Sequence, residues 1–306
     1  MAGTVVSYGT ESSNQVRERR ARRAGGRMTD TPPPTATDAG QRPPALVARG
    51  IVKRYGHVEA LKGADFECRA GEVTALIGDN GAGKSTLVKI LSGTALPDAG
   101  TITVNGAEYR PDSPAASHTA GIETVYQDLA LAPDLGPAAN LFLGRERRRA
   151  GLLGRLGFMD DRAMRDDATR TFAELGVTAD TSRASVRALS GGQRQGVAVA
   201  RAVAWGRSIV LLDEPTAALG VVQTQNVLRL VRTVADSGIA VVLISHSMPD
   251  VLAVADRIEV LRLGRRVARF TRAEASVDRL VAAMTGGAEA AAPAAGLADI
   301  NGGHPA

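Results

Sequence analysis

The sequence predicts an α/β fold, a mostly parallel sheet with helices on both faces, and three observations carry that prediction. A glycine-rich stretch, Gly78-Asp79-Asn80-Gly81-Ala82-Gly83-Lys84-Ser85-Thr86, lies between residues 73–77, which read as a short buried strand, and residues 87–91, which read as a helix. Ile209-Val210-Leu211-Leu212 is an unbroken apolar run, as expected of a strand buried on both faces. Beyond it, strand and helix patterns alternate, which argues for parallel strands joined by crossover helices.

Taken in order, residues 1–44 read as a disordered extension. They hold an arginine run within 17–23, then Pro32-Pro33-Pro34 and Pro43-Pro44, with few large apolar side chains. They carry seven Arg against four acids, whereas 45–306 carry 30 Lys+Arg against 28 acids. The formal net charge of +5 is therefore partly an effect of the extension and is no nucleic-acid footprint by itself. The arginine run reads either as a basic arm for acidic lipid or nucleic acid, or as sequence ahead of a true start at Met28, with Gly25-Gly26-Arg27 a translated ribosome-binding site. The mass of the native N-terminus decides between them.

The folded part is expected over 45–286. Residues 46–52 read as a strand with Tyr55 where it ends, and residues 64–68 alternate like a second. A turn at 97–100, a strand at 101–104 and the hairpin signal Asn105-Gly106 extend this antiparallel pattern. Residues 121–127 read as a strand ending in Gln127. Met164, Ala168, Phe172 and Leu175 recur at helical spacing within 160–175. Residues 141–201 are predominantly helical by pattern, so a helical insert is placed at about 130–203. The Arg145–Arg149 cluster inside it reads as a solvated face, with a partner contact the alternative. Residues 221–237 read as a helix, 239–245 as a buried strand ending at His246, 251–255 as a helix and 258–262 as a last strand around Gly264. Residues 287–306, rich in Ala, Gly and Pro, read as a loose tail. There is no internal repeat.

Composition narrows the class. Aromatic residues make up 3% of the 306, so aliphatic side chains must build the core. Cys68 is the single cysteine, which rules out a disulfide within the chain and reads as a small apolar filler. No apolar run approaches the ~20 residues that span a bilayer, and the N-terminus lacks the apolar centre of a signal peptide. The chain is expected to be soluble and to stay inside the cell.

Gly78–Thr86 fits the phosphate-loop pattern G-x-x-x-x-G-K-[ST], and its strand–loop–helix setting is what that pattern requires. The glycines let successive backbone N–H groups converge on one anion, and the following helix adds its positive end. Lys84 can reach β- and γ-phosphates, and the Ser85 hydroxyl can ligate Mg²⁺. Asp213, ending a buried strand, suits a Mg²⁺-holding acid, and Glu214 beside it can polarise a water for attack. Ser190, Gly191, Gly192 and Gln193 open a helix and can form a second anion site. His246 can bond a γ-phosphate, and the Tyr55 ring can stack on a purine. These readings imply a nucleoside triphosphate and Mg²⁺ as ligands.

In this order the motifs resemble the ATP-binding cassette (ABC) family over residues 45–286. The resemblance assigns Gly78–Thr86 to the Walker A motif, residues 189–193 to the signature, residues 209–214 to Walker B, Gln127 to the Q-loop glutamine facing Mg²⁺, Tyr55 to the A-loop aromatic and His246 to the switch histidine. It implies the ABC ATPase fold: a phosphate-loop NTPase sheet core, an antiparallel β subdomain and an inserted helical subdomain. In that family two cassettes close head to tail, each ATP lying between one phosphate loop and the partner's signature, so a second copy of the chain is implied. One departure stands out. Where the loop after Walker B usually reads S-A-L-D, here it is Ala217-Ala218-Leu219-Gly220, which puts cross-talk between the two sites in doubt.

The stretches around Tyr126–Leu135, Glu214–Gly220 and Ile244–Asp250 look like the cassettes of bacterial monosaccharide importers of the ribose, xylose, galactose and fructose type, and the chain resembles their single-cassette, fructose-type member. The resemblance implies an ATPase at the cytoplasmic face of a bacterial membrane, partnered by integral permease subunits and indirectly by a sugar-binding protein, with no nucleic acid. The alternatives are a soluble ABC-type ATPase acting on DNA or ribosomes, an importer of another small solute, or a nucleotide-binding regulator.

Overall fold

The computed structural model describes residues 44–206 and 208–287, all within one compact unit. The expectations for the N-terminal extension, including Met28, and for the tail fall outside the described residues, apart from Pro44 and Gly287.

Two sheets form the frame. The smaller is antiparallel, in the order β2-β1-β4-β5, from β1 (Pro44–Tyr55), β2 (Val58–Arg69), β4 (Ala99–Val104) and β5 (Ala107–Glu108). The larger has the order β10-β9-β3-β8-β7-β6, from β3 (Val73–Ile77), β6 (Ile122–Val125), β7 (Ile209–Asp213), β8 (Ala240–Ile244), β9 (Arg257–Arg262) and β10 (Arg265–Thr271). Strands β6, β7, β8, β3 and β9 pair in parallel and β10 runs antiparallel at one edge. Every residue of β3 and β8 is buried, as expected of β8, which is apolar throughout, and of β3, where Thr74 is the single polar residue.

Two local readings are corrected by the structure and a third is extended. The strand expected to reach Gln127 stops at Val125, because Leu129 and Ala130 take left-handed backbone (φ 61° and 45°) in a turn that Leu129 N closes onto Tyr126 O. Strand β9 is not the last: the chain turns at Leu263-Gly264 into β10 and ends in helix α9 (Val277–Thr285). Strand β10 escaped notice because Arg265, Arg266 and Arg269 break any apolar run; as an edge strand it buries little besides Phe270. The extension concerns the Arg145–Arg149 cluster. Arg145 stacks 4.9 Å over the Trp205 ring and lies 3.2 Å from Glu123 of β6. Arg147 pairs with Asp167 and stacks over Phe142. All four arginines are exposed, as a solvated face requires, but Arg145 and Arg147 also make these structural contacts.

Helix α1 (Lys84–Leu91) leaves the glycine-rich loop, and α2 (Pro114–Ala120) leads to β6. Between β6 and β7 come α3 (Pro137–Phe142), α4 (Gly151–Arg155), α5 (Asp161–Glu174) and α6 (Gly191–Trp205). Helix α5 starts where the Asp160 carboxylate accepts from Ala163 N. It buries Met164, Ala168 and Phe172 against Leu141, Phe142, Val197 and Ala200 in a cluster of its own. Helices α7 (Val221–Asp236) and α8 (Met248–Val254) complete the crossovers. Among the described residues no helix is long and apolar enough to cross a membrane.

Leu46, Leu61 and Phe66 of the small sheet share one cluster with Leu87, Ile90 and Leu91 of α1 and with Leu211 and Val242 of the large sheet. Helix α1 is thus clamped between the sheets, and the loop before it inherits that rigidity. Phe66 is fully buried there. Phe66→Ala is expected to lower stability by about 3–5 kcal/mol through lost transfer energy and a cavity, read as a shifted urea midpoint with an unchanged slope.

Candidate functional site

The glycine-rich loop joins the end of β3 to α1, and its shape depends on glycine at two positions. A Cβ on Gly78 (φ 156°) would lie 2.2 Å from the Leu261 carbonyl oxygen of β9. One on Gly83 (φ 106°) would lie 2.7 Å from a Leu61 methyl and 2.8 Å from the Ala60 carbonyl oxygen. Gly83 caps α1 with no side-chain bond, so the first N–H groups of the helix stay available for an anion. Lys84 curls back over the loop and donates to Gly78 O (2.7 Å) and Asp79 O (3.1 Å). Burial lowers its pKa, and the charges of Glu214, Asp79 and Asp213 oppose that shift. Asp79, Asn80, Gly81 and Ser85 are exposed, Thr86 is half-buried and Ala82 is buried.

Asp213 ends β7, next to β8. Burial raises its pKa, the Glu214 charge adds to the rise, and Lys84 counters it. Glu214 follows with left-handed backbone (φ 51°), held by a bond from its N–H to Ile244 O (3.0 Å). That strain turns the Glu214 side chain to His246, whose Nδ1 lies 2.8 Å from Oε2 of Glu214. Lys84, Asp213, Glu214 and His246 therefore gather at the carboxyl ends of parallel strands, where ligands bind in open α/β sheets. A cleft of 460 Å³ opens beside them, lined by Glu214, His246, Ala218 and Thr224 among others.

The other site residues sit at a strand end, in a turn and at a helix start. The Tyr55 ring, at the end of β1, is 48% exposed with Lys53 Nζ 5.5 Å from its centroid, so a flat aromatic face is open. Gln127 is exposed in the turn after β6. Ser190 caps α6: its Oγ accepts from Gln193 N (3.3 Å), while Gln193 Oε1 accepts from Ser190 N (3.0 Å). Gln193 Nε2 also donates to Thr178 O (2.8 Å), so that side chain shapes the turn. Ser190, Gly192 and Gln193 line a separate cleft of 640 Å³ with Gln223 and Asn226 of α7, and no residue of Gly78–Thr86 shares it. The fold assembles one phosphate-loop cluster and one helix-capped cleft, but does not bring the two together.

Arg201 escaped the sequence reading. From α6 it donates to Ala130 O (2.8 Å) and Leu129 O (3.0 Å), the two carbonyls of the left-handed turn just after Gln127. It thereby ties the helix that starts at Ser190 to that turn. Its signal was a charged residue next to four successive buried positions, Val197 to Ala200, in a helix. The loop after Glu214 is anchored by Thr216 Oγ1, which donates to Asp250 of α8 (2.7 Å). At Gly220, where an acid would cap α7, a Cβ would meet Gln223 Oε1 at 2.7 Å, so the Gln223 side chain fills that space.

The sequence profile of ABC transporters matches residues 61–217, just over half of the chain. The chain belongs to the ABC transporter family. A fructose import ATP-binding protein of Rhizobium meliloti is 50% identical over 248 residues, which span 80% of this chain and 95% of that one. A xylose/arabinose import ATP-binding protein of Sulfolobus acidocaldarius is 42% identical over 240 residues, 78% of this chain and 93% of that one. A ribose import ATP-binding protein of Rubrobacter xylanophilus is 43% identical over 244 residues, 79% of this chain and 47% of that one, so this chain spans about half of its length. Among solved structures, a nucleotide-free ATP-binding cassette from an ABC transporter superposes with a TM-score of 0.64 at 25% identity, covering 74% of this chain and 91% of that one. The two-sheet frame with its helical segment is therefore the ABC ATPase fold.

In this ABC cassette the closeness of Gly78 to Leu261 has a direct consequence. Gly78→Ala must push the loop off β9, at a strain cost of about 1–3 kcal/mol. The expected result is at least a tenfold loss of ATP affinity by filter binding with an unchanged far-UV circular dichroism spectrum. Wild-type affinity would show that the loop's seat on β9 does not matter.

Proposed function

We propose that this chain is the ATP-binding and ATP-hydrolysing subunit of an ABC import system for a monosaccharide, peripheral to the cytoplasmic face of the membrane and active as a head-to-tail pair. One observation carries the reading: a strained Glu214 held 2.8 Å from His246 beside the Lys84 loop, in a chain half identical to nearly all of a fructose import ATP-binding protein. The xylose/arabinose and ribose relatives support monosaccharides as the solute class.

The residues divide the work by position. Backbone N–H groups of Gly81 and Gly83 and those opening α1 hold the phosphates, while Ala82 N donates to Asp79 O (3.1 Å) and keeps the loop curled, with Asp79 and Asn80 shaping the loop's approach and Thr86 its exit. Lys84 exchanges its bonds to the Gly78 and Asp79 carbonyls for phosphate oxygens, and Tyr55 stacks on the purine. Glu214 accepts a proton from the water that attacks the γ-phosphate, and His246 holds the Glu214 carboxylate in place and bonds a phosphate oxygen. When bound, Mg²⁺ would supply positive charge that offsets the phosphate charge. Ser85 Oγ, Asp213 and Gln127 are the residues that would hold it, and they suit it. The half-buried Asp213 carboxylate stands beside the Glu214 charge, a repulsion that a nearby cation relieves, and Mg²⁺ characteristically uses one or two protein carboxylates with substrate phosphates and water.

The cleft at Ser190 stands apart from the loop of the same chain, which supports a pairing in which Ser190, Gly191, Gly192 and Gln193 of one copy close on the phosphates held by the other. The membrane partner is a pair of permease subunits, engaged near Gln127 and moved by closure and reopening, with a sugar-binding protein acting through them.

Two experiments test this. A Ser190→Arg chain mixed with a Lys84→Ala chain is expected to recover ATPase above either parent, since each mixed pair regains one site with both motifs intact; no recovery would refute the head-to-tail pairing. Glu214→Gln retains the shape but cannot accept the proton. Its hydrolysis is expected to slow by roughly 10²–10⁴, and it should elute as a dimer with Mg-ATP and a monomer without. Turnover at the wild-type rate would remove Glu214 as the base.

A further inference from the structure

The arginine-rich stretch ahead of α5 is only half accounted for by the fold. Residues 145–165 hold seven Arg against three acids. Arg145 and Arg147 are tied down by Glu123, Trp205, Asp167 and Phe142. Arg148, Arg149 and Arg155 are exposed and form no ion pair among the described residues.

The same stretch forms a closed projection. Asp160 N donates to Arg147 O (2.8 Å), Arg149 N donates to Phe158 O (2.9 Å), and Arg148 bridges to Met159. Helix α4 sits at its outer end, fastened by Leu156 N to Leu152 O (3.1 Å) and Phe158 N to Leu153 O (3.1 Å). Leu152 is 72% exposed, Leu156 66% and Phe158 55%, with Leu153 and Met159 close to half. A cluster of large apolar side chains standing in water, on a backbone held by its own hydrogen bonds, marks an interaction surface. Two of the three acids in the stretch are engaged elsewhere, Asp160 capping α5 through Ala163 N and Glu146 accepting from Gly144 N, and the third, Asp161, lies exposed in the first turn of α5.

We propose that this projection docks on an anionic lipid surface. Leu152, Leu156 and Phe158 enter the boundary between headgroups and acyl chains, and Arg148, Arg149 and Arg155 meet the headgroup phosphates. Charge selects this occupant: three unpaired guanidinium groups flank the apolar tip, and apolar insertion supported by basic residues is how peripheral segments hold anionic bilayers. Among the described residues no hydrogen bond or ion pair joins this projection to Gly78–Thr86, so its lipid binding and the ATPase are separable properties.

The test is co-sedimentation of the full-length protein with vesicles of phosphatidylcholine alone and of phosphatidylcholine mixed with phosphatidylglycerol. Binding to the mixed vesicles is expected, weakening as salt is raised. The combined Arg148→Gln, Arg149→Gln, Arg155→Gln protein should lose about fivefold per arginine, about a hundredfold in all. A Leu152→Ser, Leu156→Ser, Phe158→Ser protein should also lose binding, and both should keep wild-type ATPase in solution. Equal binding to both vesicle types, no binding by the wild type, or unchanged binding by either variant would overturn the proposal. So would variants that bind vesicles normally but fail to assemble with the permease, an outcome that would assign the projection to a protein partner.

Discussion

The contact on which the site depends is the approach of the Gly78 backbone to the Leu261 carbonyl on β9. No side chain fits between them. That contact seats the start of the phosphate loop against the sheet, and α1, clamped between the two sheets by Leu87, Ile90 and Leu91, holds its end. A loop fixed at both ends presents its N–H groups in one arrangement, so little ordering is left to be done when an anion arrives. The two-sheet core is in this sense the scaffold of the site, and Leu46, Leu61 and Phe66 contribute to ligand geometry from the far side of α1.

Strain appears where chemistry is proposed. Among the described residues, six non-glycine positions have positive φ. Glu214 adjoins Lys84, Leu129 and Ala130 follow Gln127, and Ala218 lies in the loop after Glu214. Glu214 is held by its N–H bond to Ile244 O, and Leu129 and Ala130 by Arg201, which donates to both of their carbonyls. Local backbone cost of this kind persists only where the surroundings over-determine it. Arg201 also makes one mechanical unit of the Ser190 end of α6 and the Gln127 turn, which lie far apart in sequence. A displacement at one has a direct route to the other.

The division between the legible and the illegible follows the range of the forces involved. Unbroken apolar runs in β7 and β8, and a run in β3 interrupted only by Thr74, announced buried parallel strands, and the period of Met164, Ala168 and Phe172 announced α5, because burial imprints itself on adjacent residues. The same logic failed for β10, an edge strand that buries little, and for the end of β6, where a left-handed turn of ordinary residues carries no glycine to mark it. It placed Arg145 and Arg147 on an exposed face but missed their ring and carboxylate partners, which come from α3, β6, α5 and α6.

The sequence by itself determined the chemistry that one contiguous stretch can encode. It set a glycine-rich loop between a strand and a helix, a carboxylate pair at the end of a buried strand, and a Ser-Gly-Gly-Gln helix start whose capping bonds are all local. Only the tertiary structure decided which of these meet. It brought Glu214 within 2.8 Å of His246 and left Ser190 in a cleft apart from the loop. It also set Arg201 against the Gln127 turn, and Arg148, Arg149 and Arg155 around an apolar tip. The reason is physical: hydrogen bonds and periodic burial act between near neighbours in the chain, whereas the position of one strand end against another is set by how the sheets twist and pack around α1.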